Sequence, residues 1–257
     1  MHRERGGRRP VEDEGQLDMA WQVVSRNRSN VDLPGRSTSP YVSGMLSTTP
    51  RTTVKRGKDR ARTDRAELYA ILDAGVICHL GVVVNGSPRV LPTAYGRIGD
   101  TLYLHGSTGA ASLHAGGDIC VTVTHLDGLV LARSVFHHSA NYRCAMIYGA
   151  PRIVTDAQER LDGLRAIVEN LVPGQWEAAR SPSRKELAAT EVVALSLAEA
   201  SVKVRQGPPS DEEEDYALPV WAGVLPVRMV WGAPEPDPVL PSGTLVPAHI
   251  SGRGPNG

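Results

Sequence analysis

The sequence predicts a mainly β protein of the α+β class, built as a small closed or split barrel of antiparallel strands. The first observation behind this prediction is the stretch at residues 77–107, which parses as three strands joined by two tight turns. Its first turn contains Asn85-Gly86, a pair that suits a type I′ hairpin because both residues must adopt positive φ. The second observation is that the chain shows at least six strand patterns without βαβ alternation, which argues against a parallel dinucleotide-binding sheet.

Before this three-stranded stretch, the chain divides into a tail, a basic linker at residues 49–62 and a helix. Residues 1–50 mix Arg, Gly, Ser and Pro with little periodicity, so we expect either a disordered N-terminal tail or upstream sequence that precedes a true start at Met45. After the linker, Asp64 stands three residues before Glu67, as in a capping box, and apolar residues line one face of the helix that follows. Gly75 ends this helix.

Further strand patterns follow the three-stranded stretch. Three more are predicted, over residues 119–125, 129–136 and 141–154. Asp127-Gly128 indicates a turn between the first two of these strands. Pro151 indicates that the third lies at an edge or carries a bulge, because proline cannot donate to a strand ladder.

Two further helices and the closing strands complete the predicted domain, which spans residues 51–232. A second capping-box pattern starts at Thr155, and a short helix starts at Ser183. Strand patterns follow at residues 191–195 and 201–205. The chain then becomes rich in proline and acidic residues, and we expect residues 233–257 to form a disordered C-terminal tail.

Composition excludes several classes of function. Lys plus Arg and Asp plus Glu number 28 each, so no basic excess attracts nucleic acid. No apolar run reaches the roughly 18 residues that a membrane-spanning helix needs. The three cysteines are far apart without CxxC spacing, which indicates free thiols in a reducing compartment and a cytoplasmic protein.

Several familiar motifs are absent or incomplete. The sequence has no GxGxxG spacing and no Walker-type loop. His137-His138 stands out, but adjacent residues of a strand point to opposite faces, so we predict a structural pair and no metal site. Asp127, His138 and Ser139 are the residue types of a hydrolase triad without the strained nucleophile elbow.

One constellation remains as a candidate binding site. Arg89 leads into Val90-Leu91-Pro92-Thr93 on one strand, beside a strand that ends at His105-Gly106-Ser107. Such strands can bind a phosphate at one end and a flat heteroaromatic ring along their backbone amides. A helix beginning after Ser107 would add an anion site at its N-terminus. The alternative interpretation is that Arg89 is an exposed strand residue and His105 a hydrogen-bonded core residue.

At these residues the chain resembles the pyridoxamine 5′-phosphate oxidase-like, FMN-binding split-barrel superfamily, and most closely its nitroimidazole-resistance-like flavin-nucleotide-binding branch. The resemblance covers roughly residues 51–231. The segments that carry it are Pro88–Thr93, Leu102–Ser107, Asp127–Ser134, Phe136–Arg143 and Tyr216–Gly223.

The resemblance implies a six- to seven-stranded antiparallel split β-barrel with two or three peripheral helices, assembled as a homodimer with one FMN in each interface cleft. The implied cofactor-binding residues are Arg89, Val90, Leu91, Pro92, Thr93, His105, Gly106, Ser107, Ser112, Arg143 and Cys144. His137 and His138 are the implied substrate-binding residues. The implied function is an FMN-dependent oxidoreductase acting on a small flat substrate. The alternative is a non-catalytic module that holds haem or a deazaflavin, with His137 or His138 as the iron ligand.

Two departures from the sequence pattern of the superfamily limit which of its activities we expect. The Arg-Lys pair that grips the phosphate in the oxidases is replaced by Ala110-Ala111-Ser112, so we expect the phosphate to depend on Arg89, Ser107, Ser112 and backbone amides, with Arg143 or the basic linker as further candidates. The C-terminal Arg and His motif for substrate is also missing. We therefore do not expect a true pyridoxamine 5′-phosphate oxidase.

Overall fold

The computed structural model of the protein describes residues 44–114 and 116–253. Ten strands lie in these ranges: β1 Ala61–Arg62, β2 Ile77–Val84, β3 Ser87–Ile98, β4 Thr101–Ser107, β5 Ile119–Leu131, β6 Ser139–Gly149, β7 Arg152–Ile153, β8 Thr190–Ser196, β9 Ala200–Arg205 and β10 Gly223–Pro226. Five α-helices accompany them: α1 Arg65–Ala74, α2 Ala157–Leu171, α3 Gln175–Ala178, α4 Arg184–Ala189 and α5 Ala248–Ser251.

The strands form one antiparallel sheet that does not close. Its order is β1-β9-β6-β5-β2-β3-β4-β8-β7, and β10 pairs with β5 outside this path. Seven strands have six or more residues, which agrees with the predicted six to seven, while β1, β7 and β10 are short additions. The five helices exceed the predicted two or three because α3 and α5 are single turns. The predicted split-barrel fold is confirmed.

Local turn signals are largely correct. Asn85 and Gly86 have φ of 52° and 75°, as a type I′ turn requires. Helix α1 begins after Asp64, whose side chain accepts a hydrogen bond from Ala66 N at 2.9 Å, and it ends at Gly75. Helix α4 begins at Ser183 with a complete capping box.

Strand β5 corrects the prediction of two strands separated by a turn. Residues 119–131 form one continuous strand, and β6 pairs with it on both sides of Asp127. The Asp127-Gly128 pair is absorbed as a bulge, because the partner strand continues past it. The predicted strand over residues 141–154 is in fact two strands, since the chain leaves β6 at Gly149 and re-enters as β7 against β8.

Helix α2 lies directly on the sheet because two glycines allow it. A Cβ at Gly96 of β3 would lie 2.3 Å from the carbonyl carbon of Ala166, and one at Gly163 would lie 2.8 Å from Cδ1 of Tyr103. The helix backbone therefore contacts β3 and β4 without an intervening side chain. Its N-cap is Asp156, which accepts from Glu159 N at 2.8 Å, one residue after the predicted Thr155.

The core lies inside the barrel, with α1 covering one opening. The largest side chains that are fully buried are aromatic or branched aliphatic and come from α1, β3, β4, β5, β6, β8 and the residue directly after β8: Tyr95, Leu68, Leu72, Leu102, Leu104, Ile147, Leu195, Leu197, Val121, Val123, Val130 and Val192. Tyr95 donates its hydroxyl to Leu72 O at 2.5 Å, which ties α1 to β3.

The predicted tails differ in part from the structure. Residues 1–43 and 254–257 lie outside the described residues. In residues 44–50, however, Leu46 is buried and donates its backbone N–H to Thr63 O at 2.7 Å. In residues 233–253, Arg253 donates to Leu171 O at 2.5 Å. The described parts of both segments therefore contact the domain. None of the helices in the described residues has the length and apolar character needed to cross a bilayer.

Candidate functional site

The barrel splits where β3 and β4 part. Strand β3 pairs with β2 over residues 87–94 and with β4 only over residues 95–98. Beyond Leu104, β4 pairs with β8 alone. The two strands thus border a cleft, and the backbone groups facing it have no strand partner among the described residues. Unpaired strand edges of this kind bind extended or flat ligands through main-chain hydrogen bonds.

The predicted residues Arg89 to Thr93 form one edge of this cleft. Val90 is 68% exposed and Leu91 36% exposed. The Arg89 side chain is exposed and makes no hydrogen bond or ion pair with any described residue. The site therefore offers an uncommitted guanidinium at one end of an open strand.

The hairpin register shows which backbone groups face the cleft. The pair that closes the two-residue turn, Val84 and Ser87, is hydrogen-bonded, and bonded and non-bonded pairs then alternate along the ladder. The N–H groups of Arg89, Leu91 and Thr93 accordingly point to β2. Positions 88, 90 and 92 face the open edge. Two of these are prolines without an N–H, so Val90 supplies the donor.

The second edge is formed by His105, Gly106 and Ser107, but the helix predicted after them is absent. Two successive turns follow instead, with Ala110 N donating to Ser107 O and Leu113 N to Ala110 O, both at 2.9 Å. The buried side chain of Leu113 folds the loop back onto Gly106, where a Cβ would lie 2.8 Å from Leu113 Cδ1. The predicted anion site at a helix N-terminus is therefore wrong, and Ser112 lies half-buried in this loop.

Arg143 and Cys144 do not lie at this cleft within the chain. Strands β5 and β2 stand between their strand, β6, and β3. Arg143 forms a forked ion pair with Asp127 at 2.8 to 3.2 Å, so its guanidinium is committed. Thr124 donates its hydroxyl to Cys144 Sγ at 3.4 Å, and burial raises the pKa of this thiol.

His137 and His138 occupy a turn and not a strand, so the reasoning from strand alternation was wrong. A 3₁₀ turn at Val135–His137 joins β5 to β6. His137 Nε2 lies 3.6 Å from Glu212 Oε1, and His138 Nδ1 lies 3.1 Å from Ser134 O. This turn is at the end of β5 that lies beyond its pairing with β2, away from Arg89. No cluster of metal-binding side chains occurs in residues 44–114 and 116–253.

A cavity of about 330 Å³ lies beside His105 of β4, and sequence reasoning missed it. Its lining comes from six segments: His105, Leu164, Val168, Trp176, Ala179, Arg180, Ser181, Pro182, Glu186, Leu187 and Thr190. The apolar residues that repeat at helical spacing along α2, among them Leu164, Ile167 and Val168, were a signal for it. Ile167 is buried against the sheet, and Leu164 and Val168 line the cavity.

His105 is the titratable group in the wall of this cavity. His105 keeps part of its surface in solvent, and burial of the rest lowers the pKa of its imidazole. Arg180 of the lining forks onto Glu186 at 2.7 and 3.0 Å, and this exposed pair joins the loop between α3 and α4 to α4.

The chain is similar to known proteins over most of the described residues. The profile of the pyridoxamine 5′-phosphate oxidase family matches residues 64–204. The flavocytochrome Anf3 from Azotobacter vinelandii is 46% identical with a TM-score of 0.75, and the match covers 79% of this chain and 95% of that one. The FAD and haem binding protein from Mycobacterium smegmatis is 38% identical with a TM-score of 0.72, covering 76% of this chain and 97% of that one. No curated protein matches the sequence.

Proposed function

Because the chain belongs to the pyridoxamine 5′-phosphate oxidase family, we propose that it is a flavin-binding redox protein that also carries haem. The support comes from two relatives that align over nearly their whole length, one a flavocytochrome and the other a protein that binds FAD and haem. A bound flavin supplies hydride and single-electron transfer, and haem supplies single-electron transfer. The chain's own residues bind and orient these groups.

The observation that carries the flavin proposal is the open half of β3. A flavin ring needs main-chain donors and acceptors along one edge, and the phosphate needs a cation. Val90 offers both an N–H and a C=O to the cleft, and Arg89 has no partner among the described residues. Since Arg143 is committed to Asp127, Arg89 is the cation that we assign to the phosphate.

The identity of the flavin is part of the proposal. The resemblance implies FMN, whereas the Mycobacterium smegmatis relative binds FAD. Both carry a phosphate next to the ribityl chain, so Arg89 serves either one. The proposed reaction is electron transfer to a small flat substrate in the cytoplasm, without nucleic acid or membrane.

We further propose that two chains share the cofactor clefts as a homodimer. The outer face of the β2–β3 hairpin carries apolar side chains that are open to solvent in the single chain. Val83 is 55% exposed, Val90 68% and Ile77 44%. An apolar patch at a ligand cleft is typical of a subunit interface.

The first experiment is the visible absorption spectrum of the freshly purified protein, followed by chromatography of the flavin that heat releases. Flavin bands with a Soret band are expected, and the chromatogram distinguishes FMN from FAD. A colourless protein whose fluorescence does not change on titration with FMN or FAD would contradict the flavin proposal.

The second experiment replaces Arg89. A charge-assisted hydrogen bond contributes about 1.5 to 3 kcal/mol, so Arg89→Ala should weaken FMN binding by roughly tenfold to over a hundredfold. Riboflavin, which lacks the phosphate, should bind almost as before. Arg152→Ala, on β7 and three strands from β3, is the matched control. An equal loss for FMN and riboflavin would place Arg89 at the ring instead.

A further inference from the structure

The histidines of the described residues fall into two groups. Five have a partner atom for a ring nitrogen, between 3.0 and 3.6 Å away: His114, His125, His137, His138 and His249. His79 and His105 have no such partner in residues 44–114 and 116–253. Both residues are exposed, His79 on the outer face of β2 and His105 on β4, where it lines the cavity described above. His105 is therefore the histidine that combines an uncommitted imidazole with a cavity.

The cavity has the character of a site for a flat apolar group. Leu164 and Val168 of α2 form one wall, and Trp176 and Leu187 form others. Its volume of about 330 Å³ lies at the lower end of the range of about 300–1,000 Å³ for ligand sites, so part of a larger ring system would remain outside it. The polar residues Ser181, Arg180 and Glu186 also line it, and Arg180 is paired with Glu186.

The position of this cavity is fixed by the close contact of α2 with the sheet. Gly96 and Gly163 leave no space for a side chain between the helix and strands β3 and β4, so the helix that carries Leu164 and Val168 lies directly on the strand that carries His105. Such a direct contact supports a histidine ligand, because the residues around a metal ligand must hold it in place.

We propose that His105 is an axial ligand of the haem iron and that this cavity holds the haem. The proposal rests on the haem part of the proposed function. It replaces the expectation from sequence that His137 or His138 binds the iron. Histidine is a common axial ligand of haem iron, and it binds iron as the neutral imidazole.

The test compares four variants for haem content per chain and for the Soret band: His105→Ala, His79→Ala, His137→Ala and His138→Ala. Loss of an outer-shell partner weakens metal binding by about 10- to 100-fold, so loss of the ligand itself should weaken haem binding by at least that much. His79→Ala is the matched control, since it removes the other uncommitted imidazole. Haem content should fall in His105→Ala alone, and added imidazole should restore its Soret band.

Two further measurements separate ligation from misfolding. The melting temperature of His105→Ala reports the fold. Leu164→Trp fills the cavity without touching the ligand, and it should also exclude haem while flavin remains. Normal haem content in His105→Ala, or loss in His137→Ala or His138→Ala, would overturn the assignment while leaving the proposed function intact. A wild-type protein that contains no haem and takes up no haemin would overturn both.

Discussion

Gly96→Ala tests the direct contact between α2 and the sheet. The new Cβ would lie 2.3 Å from Ala166 C and 2.4 Å from Ile167 N, whereas ordinary contact begins at 3.4 Å. The helix must therefore move by 3.4 − 2.3 = 1.1 Å. A gap of 0.5 to 1 Å already forfeits about a quarter to a half of the dispersion attraction between the surfaces.

We expect a cost near the upper end of the range of about 1–3 kcal/mol for overpacked sites. For a domain of this size each kcal/mol lowers the melting temperature by about 2–4 °C, so a loss of roughly 6–12 °C follows at 3 kcal/mol. Circular dichroism melts and urea titrations measure it. Gly81→Ala on β2 is the matched control, because its Cβ meets Cys120 O at an ordinary 3.4 Å. A change in Gly96→Ala no larger than that in Gly81→Ala would refute the direct contact.

Three more outcomes are expected. Burial raises the pKa of Cys78 to about 12, so its thiol should react with iodoacetamide only after unfolding; labelling of Cys78 in the native protein, located by mass spectrometry, would contradict this. In protein freed of haem, the lowered pKa of His105 means that the unfolded chain binds more protons below the ordinary value of about 6.5, so stability should fall as the pH drops through that value. His105→Gln should flatten the dependence, and an unchanged slope in urea titrations between pH 7 and about 5 would exclude this cause. Val90→Glu places a charge on the proposed dimer interface. Light scattering should therefore show a shift from dimer towards monomer, and the monomer should lose its flavin. A monomer that keeps its flavin would rule out a shared cleft.

The sequence was sufficient where a signal acts within a few residues. Asn85-Gly86 predicts its turn because the required φ values are a local property, and Ser183 predicts its helix start for the same reason. Asp127-Gly128 has similar local character but becomes a bulge. The difference is that β6 pairs with β5 both before and after Asp127. The two residues Asp127-Gly128 carry no information about this pairing with a distant strand.

The candidate site likewise combines features that the sequence predicts with features that only the structure shows. The strands bearing Arg89 and His105 were predicted, and the structure adds that they part at Ala94 to leave a cleft. The ion pair between Arg143 and Asp127 joins residues on two strands, so sequence could not remove Arg143 from the set of available cations. The cavity beside His105 escaped prediction because its walls come from six separate segments.

The short strand β10 has a consequence for protein production. One edge of β5 is covered by β2 at residues 120–122 and by β10 at residues 128–131. The family match ends at residue 204, before β10 begins. A chain shortened to that boundary would leave Leu129, Val130 and Leu131 as a bare apolar strand edge, which is a template for intermolecular pairing. Such a truncated protein should precipitate or form fibrils although every residue of the family domain is present, so expression plasmids should extend through Val227.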